Sequence, residues 1–216
     1  EWGLRLAYAG KVSRWLRDNP LEPQFPSRYD LYTHVLEHES LEGPITYLEF
    51  GVATGRSIRW WVENNHDKAT RFYGFDCFTG LPEEWYWHPK GTFDQEGAAP
   101  DVDDERVGWV KGYFQETLHE FLRAHALDQR LVVHLDADLF TSTHFVLGSL
   151  APFLSAGDVL IFDEFTRLTD ATHEFRAFHD FLSAYGMQFS VLGASGGYVQ
   201  VAMRIDGTIG ARVGDS

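Results

Sequence analysis

Along the chain, apolar residues gather in two alternating kinds of run. Short β-rich runs fall at Ile45–Phe50, Phe72–Phe75, Val107–Val110, Leu131–Leu135, Val159–Phe162, Phe189–Leu192 and Tyr198–Met203. Longer stretches carry helical spacing: Ile58, Trp61 and Val62 share one face, as do Leu118, Phe121 and Leu122, and Phe175, Phe178, Phe181 and Leu182. Strand and helix in alternation predict an α/β fold whose parallel sheet is covered on both faces. The last two runs break the rhythm. Only Gly193-Ala194-Ser195-Gly196-Gly197 separates them. That is too short for a parallel crossover and suits a hairpin, so the final strand should run antiparallel.

Two regions stand outside the alternation. Residues 1–40 read as a helical extension or cap, with helical pieces near Leu6–Leu16 and Tyr29–Glu37 broken by Pro20, Pro23 and Pro26. They are placed to cap the sheet, cover a site or form a homodimer contact. Residues 41–216 form the main domain, and within it residues 83–105 show no sustained period. A connection that long is a lid or a disordered segment, and Trp85-Tyr86-Trp87 favours an ordered lid.

Composition narrows the partners. With 216 residues, 44% hydrophobic and 15% aromatic, the chain has material for one folded domain. Its net charge of −14 opposes nucleic acid and anionic membranes, and no apolar run is long enough to span a bilayer. A small molecule or a cation is the favoured partner. Cys77 is the only cysteine, which excludes an intramolecular disulfide and fits a reducing compartment such as the cytoplasm.

The first strand runs straight into Glu49-Phe50-Gly51-Val52-Ala53-Thr54-Gly55-Arg56-Ser57. Strand, Gly-x-x-x-Gly and helix in that order are a nucleotide-binding layout. Gly51 permits the tight turn and Gly55 the approach of a ligand to the backbone. Ser57, at the helix start, can cap the helix or bind a ligand carboxylate. Asp76 ends the second strand, where an acid suits ribose hydroxyls. A dinucleotide site needs a middle glycine for its pyrophosphate, and here that position is Ala53. S-adenosylmethionine has no pyrophosphate, and its cationic methionine end gives the buried Glu49 a partner.

The fourth strand ends in Asp136-Ala137-Asp138 and the fifth in Asp163-Glu164. Each acid alone has a commoner role as turn former or cap. Together, at the ends of adjacent buried strands, they make a site. Asp136, Asp163 and Glu164 would repel one another without a cation among them, and Mg²⁺ suits such oxygen ligands. Asp138 is then free to act as general base towards a hydroxyl. His88 in the lid is an alternative base, Trp85 and Trp87 are candidates for contacting the acceptor, and His134 reads as a satisfied core histidine.

The phrases Tyr47-Leu48-Glu49-Phe50-Gly51-Val52, Gly74-Phe75-Asp76-Cys77-Phe78-Thr79-Gly80-Leu81-Pro82, Leu135-Asp136-Ala137-Asp138-Leu139-Phe140 and Phe162-Asp163-Glu164 resemble the macrocin O-methyltransferase family. The likeness runs from about Tyr29 to Arg204. It implies a Rossmann-like class I methyltransferase fold with seven strands, the last antiparallel. It also implies S-adenosylmethionine as methyl donor and a hydroxylated small molecule, such as a glycosylated natural product, as acceptor. Mg²⁺ would sit at Asp136, Asp163 and Glu164, Asp138 would be the base, and Phe114 would pack on the adenine. One residue departs: members with an established metal site carry two aspartates where this chain has Asp163-Glu164. The competing readings are a metal-independent N- or O-methyltransferase and a non-catalytic methyltransferase-like module.

Overall fold

All six residues of strand β2 (Ile45–Phe50) are buried, as a strand at the middle of a two-faced sheet requires. In the computed structural model, which describes residues 2–166, 171–197 and 199–208, β2 lies parallel between β3 (Arg71–Asp76) and β5 (Arg130–Leu135). Further strands are β4 (Val107–Lys111), β6 (Val159–Phe162), β7 (Met187–Ser195) and β8 (Gln200–Thr208). With β1 (Gln24–Phe25) they form one sheet in the order β1-β7-β8-β6-β5-β2-β3-β4. β8 runs antiparallel to both β6 and β7, as the short connection required.

The sheet has eight strands among the described residues, one more than expected. The addition is β1, two residues of the N-terminal segment paired parallel with Ala194 and Ser195 of β7. Gly193 makes room for it: its φ is 151°, and a Cβ there would meet Phe25 at 2.8 Å and the Pro23 carbonyl oxygen at 2.9 Å. The glycine run expected to form the hairpin loop is thus shared, Gly193 lying in β7 and Gly196 and Gly197 in the turn. Tyr198, expected to open the last strand, lies outside the described residues.

Helices cover both faces. Leu48 and Phe50 of β2 join the core formed with α1 (Trp2–Asp18), α4 (Phe114–Ala124), α5 (Phe140–Leu150) and α6 (Glu174–Tyr185). Ile45 and Tyr47, on the alternate face, join α2 (Arg28–His38) and α3 (Arg56–Asn64). Helix α2 is anchored on its buried Leu31, Tyr32 and Val35 and opens with a capping box between Ser27 and Asp30. The loop from Cys77 to Arg106 folds back on itself, with Leu81 and Thr92, and Phe78 and Gln95, joined by backbone hydrogen bonds.

Candidate functional site

Strand order reverses between β2 and β5, and ligands of open α/β sheets bind outside the carboxyl ends of strands at such a point. Here the ladder continues one residue past each strand. The Asp136 amide donates to the Phe50 carbonyl at 2.9 Å, Gly51 to Phe75 at 3.0 Å and Asp163 to Leu135 at 2.9 Å. The residues that follow the apolar runs are therefore delivered side by side to one edge. They line a cavity of about 490 Å³ that takes in Glu49, Gly51, Ser57, Asp76, Phe114, Asp136, Asp138, Asp163 and Glu164. That volume suits a small-molecule ligand.

At the floor of the glycine loop the backbones approach closely. Gly51 has a φ of 92°, and a Cβ there would stand 1.9 Å from the Asp136 carbonyl oxygen. Gly51→Ala is therefore expected to lose about 3 kcal/mol or more of stability, read from denaturant unfolding, because both the left-handed backbone and the clash oppose it. Gly55 is the N-cap of α3. Asp76 organises the loop: its Oδ2 accepts from the amides of Val52 (2.8 Å) and Ala53 (2.9 Å), and its Oδ1 from Phe78 (2.7 Å). Phe114 opens α4 and packs edge-on against Phe50 at 5.4 Å.

Glu49 does not stand alone. The Tyr47 hydroxyl donates to Glu49 Oε2 at 2.6 Å and lies 2.8 Å from His134 Nδ1, while His134 Nε2 lies 3.4 Å from the Tyr32 hydroxyl. Tyr32 in turn lies 3.2 Å from Ser57 Oγ. His134 is a core histidine as expected, yet the acids around it belong to the site. Burial lowers its pKa, but Asp163 and Glu49 outweigh that and raise it to about 9. His134 thus lies between the glycine-loop side and the carboxylate side of the cavity, 3.6 Å from Glu49 and 3.9 Å from Asp163. Tyr47 and Glu49 share a strand face, and the register sets Glu49 opposite His134, so a run of polar residues in a buried strand was the available signal.

The acids at the ends of β5 and β6 crowd one another. Burial, then Asp163 and Asp138, hold the Asp136 carboxyl well above the usual carboxylate range. Asp138 adopts a left-handed φ of 58°, a conformation that costs energy and recurs at functional sites. Glu174, which sequence reasoning missed, is fully buried at the start of α6 and accepts from the Glu164 amide at 2.9 Å. Its pKa too is raised well above normal, by burial first and then by Asp136, Asp163 and Asp138. Arg28, also missed, reaches in from α2 and sets Nη1 3.0 Å from Asp163 Oδ1, as an ion pair without hydrogen-bond alignment.

Asp163 Oδ1 and Glu174 Oε1 are buried without a hydrogen-bonded partner. Hard, anionic oxygens in such number fit a divalent cation by their chemistry. Among the described residues no group of three or more histidine, cysteine, aspartate or glutamate side chains is arranged so that it could hold a metal ion. The lid supplies Leu81, Trp85, Phe93 and Gln95 to the cavity wall. His88 does not line the cavity; it stacks on Trp85 at 5.3 Å and faces Phe93 at 5.4 Å. The two lid tryptophans part company, Trp85 being 6% exposed and Trp87 76%. Among the described residues no helix is long and apolar enough to cross a membrane.

Comparison with known proteins points the same way. Residues 89–186 match the model of the macrocin-O-methyltransferase (TylF) family. The chain is 29% identical, over 187 residues, to an 8-demethyl-8-(2,3-dimethoxy-alpha-L-rhamnosyl)-tetracenomycin-C 4'-O-methyltransferase of Streptomyces olivaceus, covering 74% of this chain and 67% of that one. It is 34% identical over 83 residues to the demethyldecarbamoylnovobiocin O-methyltransferase of Streptomyces niveus, covering 37% of this chain and 30% of that one. Its fold is shared with the calicheamicin methyltransferase CalS11 at a TM-score of 0.62 and 20% identity, over 92% of this chain and 91% of that one. It is shared also with the O-methyltransferase NovP at 0.59 and 18%, over 82% and 78%. Over residues 89–186 the chain therefore resembles the macrocin O-methyltransferase family, and its α/β Rossmann-like fold is the one these methyltransferases share.

Proposed function

We propose that the chain methylates a sugar hydroxyl of a glycosylated natural product, with Mg²⁺ assisting and Asp138 as the base. The observation that carries this is the meeting, in one cavity, of the glycine loop after β2 with the carboxylates after β5 and β6. The rhamnosyl group in the name of the Streptomyces olivaceus relative supports the substrate class.

S-adenosylmethionine, when bound, supplies the methyl group. Glu49, with the buried Tyr47 and His134 behind it, receives the methionine ammonium, and Ser57 the carboxylate. Gly51 lets the glycine loop close onto the Asp136 backbone beside the cavity, Gly55 turns the chain into α3 against Pro100, and Asp76 has lone pairs left for the ribose hydroxyls after its three backbone contacts. Phe114 offers its ring to the adenine. Asp136, Asp163 and Glu164 would hold the divalent ion, which stabilises negative charge on the acceptor oxygen. Asp138 would take the proton of the acceptor hydroxyl as that oxygen bonds to the methyl group that the sulfonium would release. Trp85 and Phe93 of the lid present flat faces to the sugar and keep water from the reacting atoms. Residues 1–40 act as a cap that completes the wall through Arg28, and the exposed Leu4 and Leu6 of α1 support a homodimer contact. The single cysteine supports a cytoplasmic setting.

Incubation with labelled S-adenosylmethionine and a rhamnosylated aromatic polyketide is expected to yield a mono-O-methylated sugar. Chelation of divalent ions should slow that step by about tenfold or more, and added Mg²⁺ should restore it, while S-adenosylhomocysteine binding is unmoved. Failure to methylate any of a panel of glycosides would remove the substrate class. Methylation indifferent to chelation would leave the enzyme and discard the metal. One observation favours that second, metal-independent reading: a guanidinium already stands against Asp163.

A further inference from the structure

The carboxylate edge carries an internal counter-ion that comes from outside the motif-bearing half of the chain. Arg28 is the first residue of α2, and the capping box of Ser27 and Asp30 together with the fully buried Leu31 and Tyr32 fixes its backbone against the sheet. Its side chain lines the same cavity as Asp136, Asp138 and Glu164, and ends 3.0 Å from Asp163. Asp163 itself is 5% exposed, whereas the Arg28 side chain is 33% exposed. Of the two partners, then, only the arginine has room to leave. Asp163 Oδ1 has no aligned hydrogen bond to hold it to the guanidinium, so the pair is held by charge alone and a stronger cation can take the arginine's place. The imidazole of His134, 3.9 Å from Asp163, is walled in on all sides and cannot make way.

We propose that Arg28 is a resident cation that neutralises Asp163 in the resting protein, and that a divalent ion reaches this carboxylate only by displacing it. The proposal deepens the metal-assisted reading above and rests on it. Its chemical sense is that the resting site avoids a cluster of uncompensated buried acids without a metal. The consequence is that metal affinity is set by a residue of the N-terminal cap. A positive charge within a few ångströms of a partly buried cation site weakens divalent binding by tenfold or more on the order of Coulomb's law at intermediate dielectric.

The test is direct binding of Mn²⁺ by electron paramagnetic resonance, in competition with Mg²⁺, on the full chain and on Arg28→Gln. The variant should bind Mn²⁺ about tenfold or more tightly than the wild type. Equal or weaker binding by the variant overturns the proposal while leaving the metal reading intact. Binding by neither protein overturns both. A second measurement avoids the variant altogether: in guanidinium-labelled wild type, the Arg28 side-chain nitrogen resonances, assigned with Arg28→Lys, should shift and narrow as Mg²⁺ is added. Resonances unmoved at saturating ion would mean that Arg28 stays on Asp163, and the proposal would fall.

Discussion

Asp138→Asn is expected to lower the methylation rate constant by about 10²–10⁴-fold while leaving S-adenosylhomocysteine binding near its wild-type value. The substitution is chosen for its backbone. Asp138 holds a left-handed φ of 58°, which asparagine tolerates and most residues do not. The change therefore removes the basic carboxylate without disturbing the turn that aims it. The effect should fall on kcat with little change in KM for the acceptor, because proton removal is felt only in the transition state. Single-turnover rates at saturating acceptor measure it. A loss below about threefold would move the proton acceptor elsewhere on the wall, and Glu164, which lines the cavity, would then be the group to change next.

The second large effect is expected at Asp76. Its carboxylate accepts from the amides of Val52, Ala53 and Phe78, so it ties the glycine loop to the first residues of the lid segment. Asp76→Ala strands those three donors. It should weaken S-adenosylhomocysteine binding by about 100-fold and cost about 2–4 kcal/mol of stability. Asp76→Asn keeps one oxygen acceptor and should fall between. The paired readout separates two roles. Were Asp76 a ribose ligand only, affinity would drop with no change in the unfolding midpoint; the loop geometry calls for both to move together.

Much of the fold was legible because burial on both faces writes itself into a strand as an unbroken apolar run. β2, β5 and β6 are such strands, and each is followed at once by the residues that reach the cavity. The hairpin of β7 and β8 was legible for a different reason: the chain between them is too short to cross the sheet. β1 could not be seen. Two residues carry no period, and they form a strand only because Gly193 lets them lie against β7. Helix α5 was also hard to read, since Val146, Leu147 and Leu150 sit among Phe140, Phe145 and Leu139 and blur any single apolar stripe. Within the site, Gly51, Asp76, Asp136, Asp138, Asp163 and Glu164 were visible because each stands at or just past a strand end. Arg28 and Glu174 were not, because they come from α2 and α6 and meet the acids only once the helices have packed. His88 is kept from the cavity by the lid's own stacking on Trp85, which no spacing in the sequence encodes.

The central claim is that this cavity holds S-adenosylmethionine, and titration calorimetry with S-adenosylhomocysteine tests it most directly. One site per chain, with affinity weakened about 100-fold by Asp76→Ala and unaffected by Asp138→Asn, is the expected result. No heat of binding at any concentration, from a chain shown to be folded, would contradict the account.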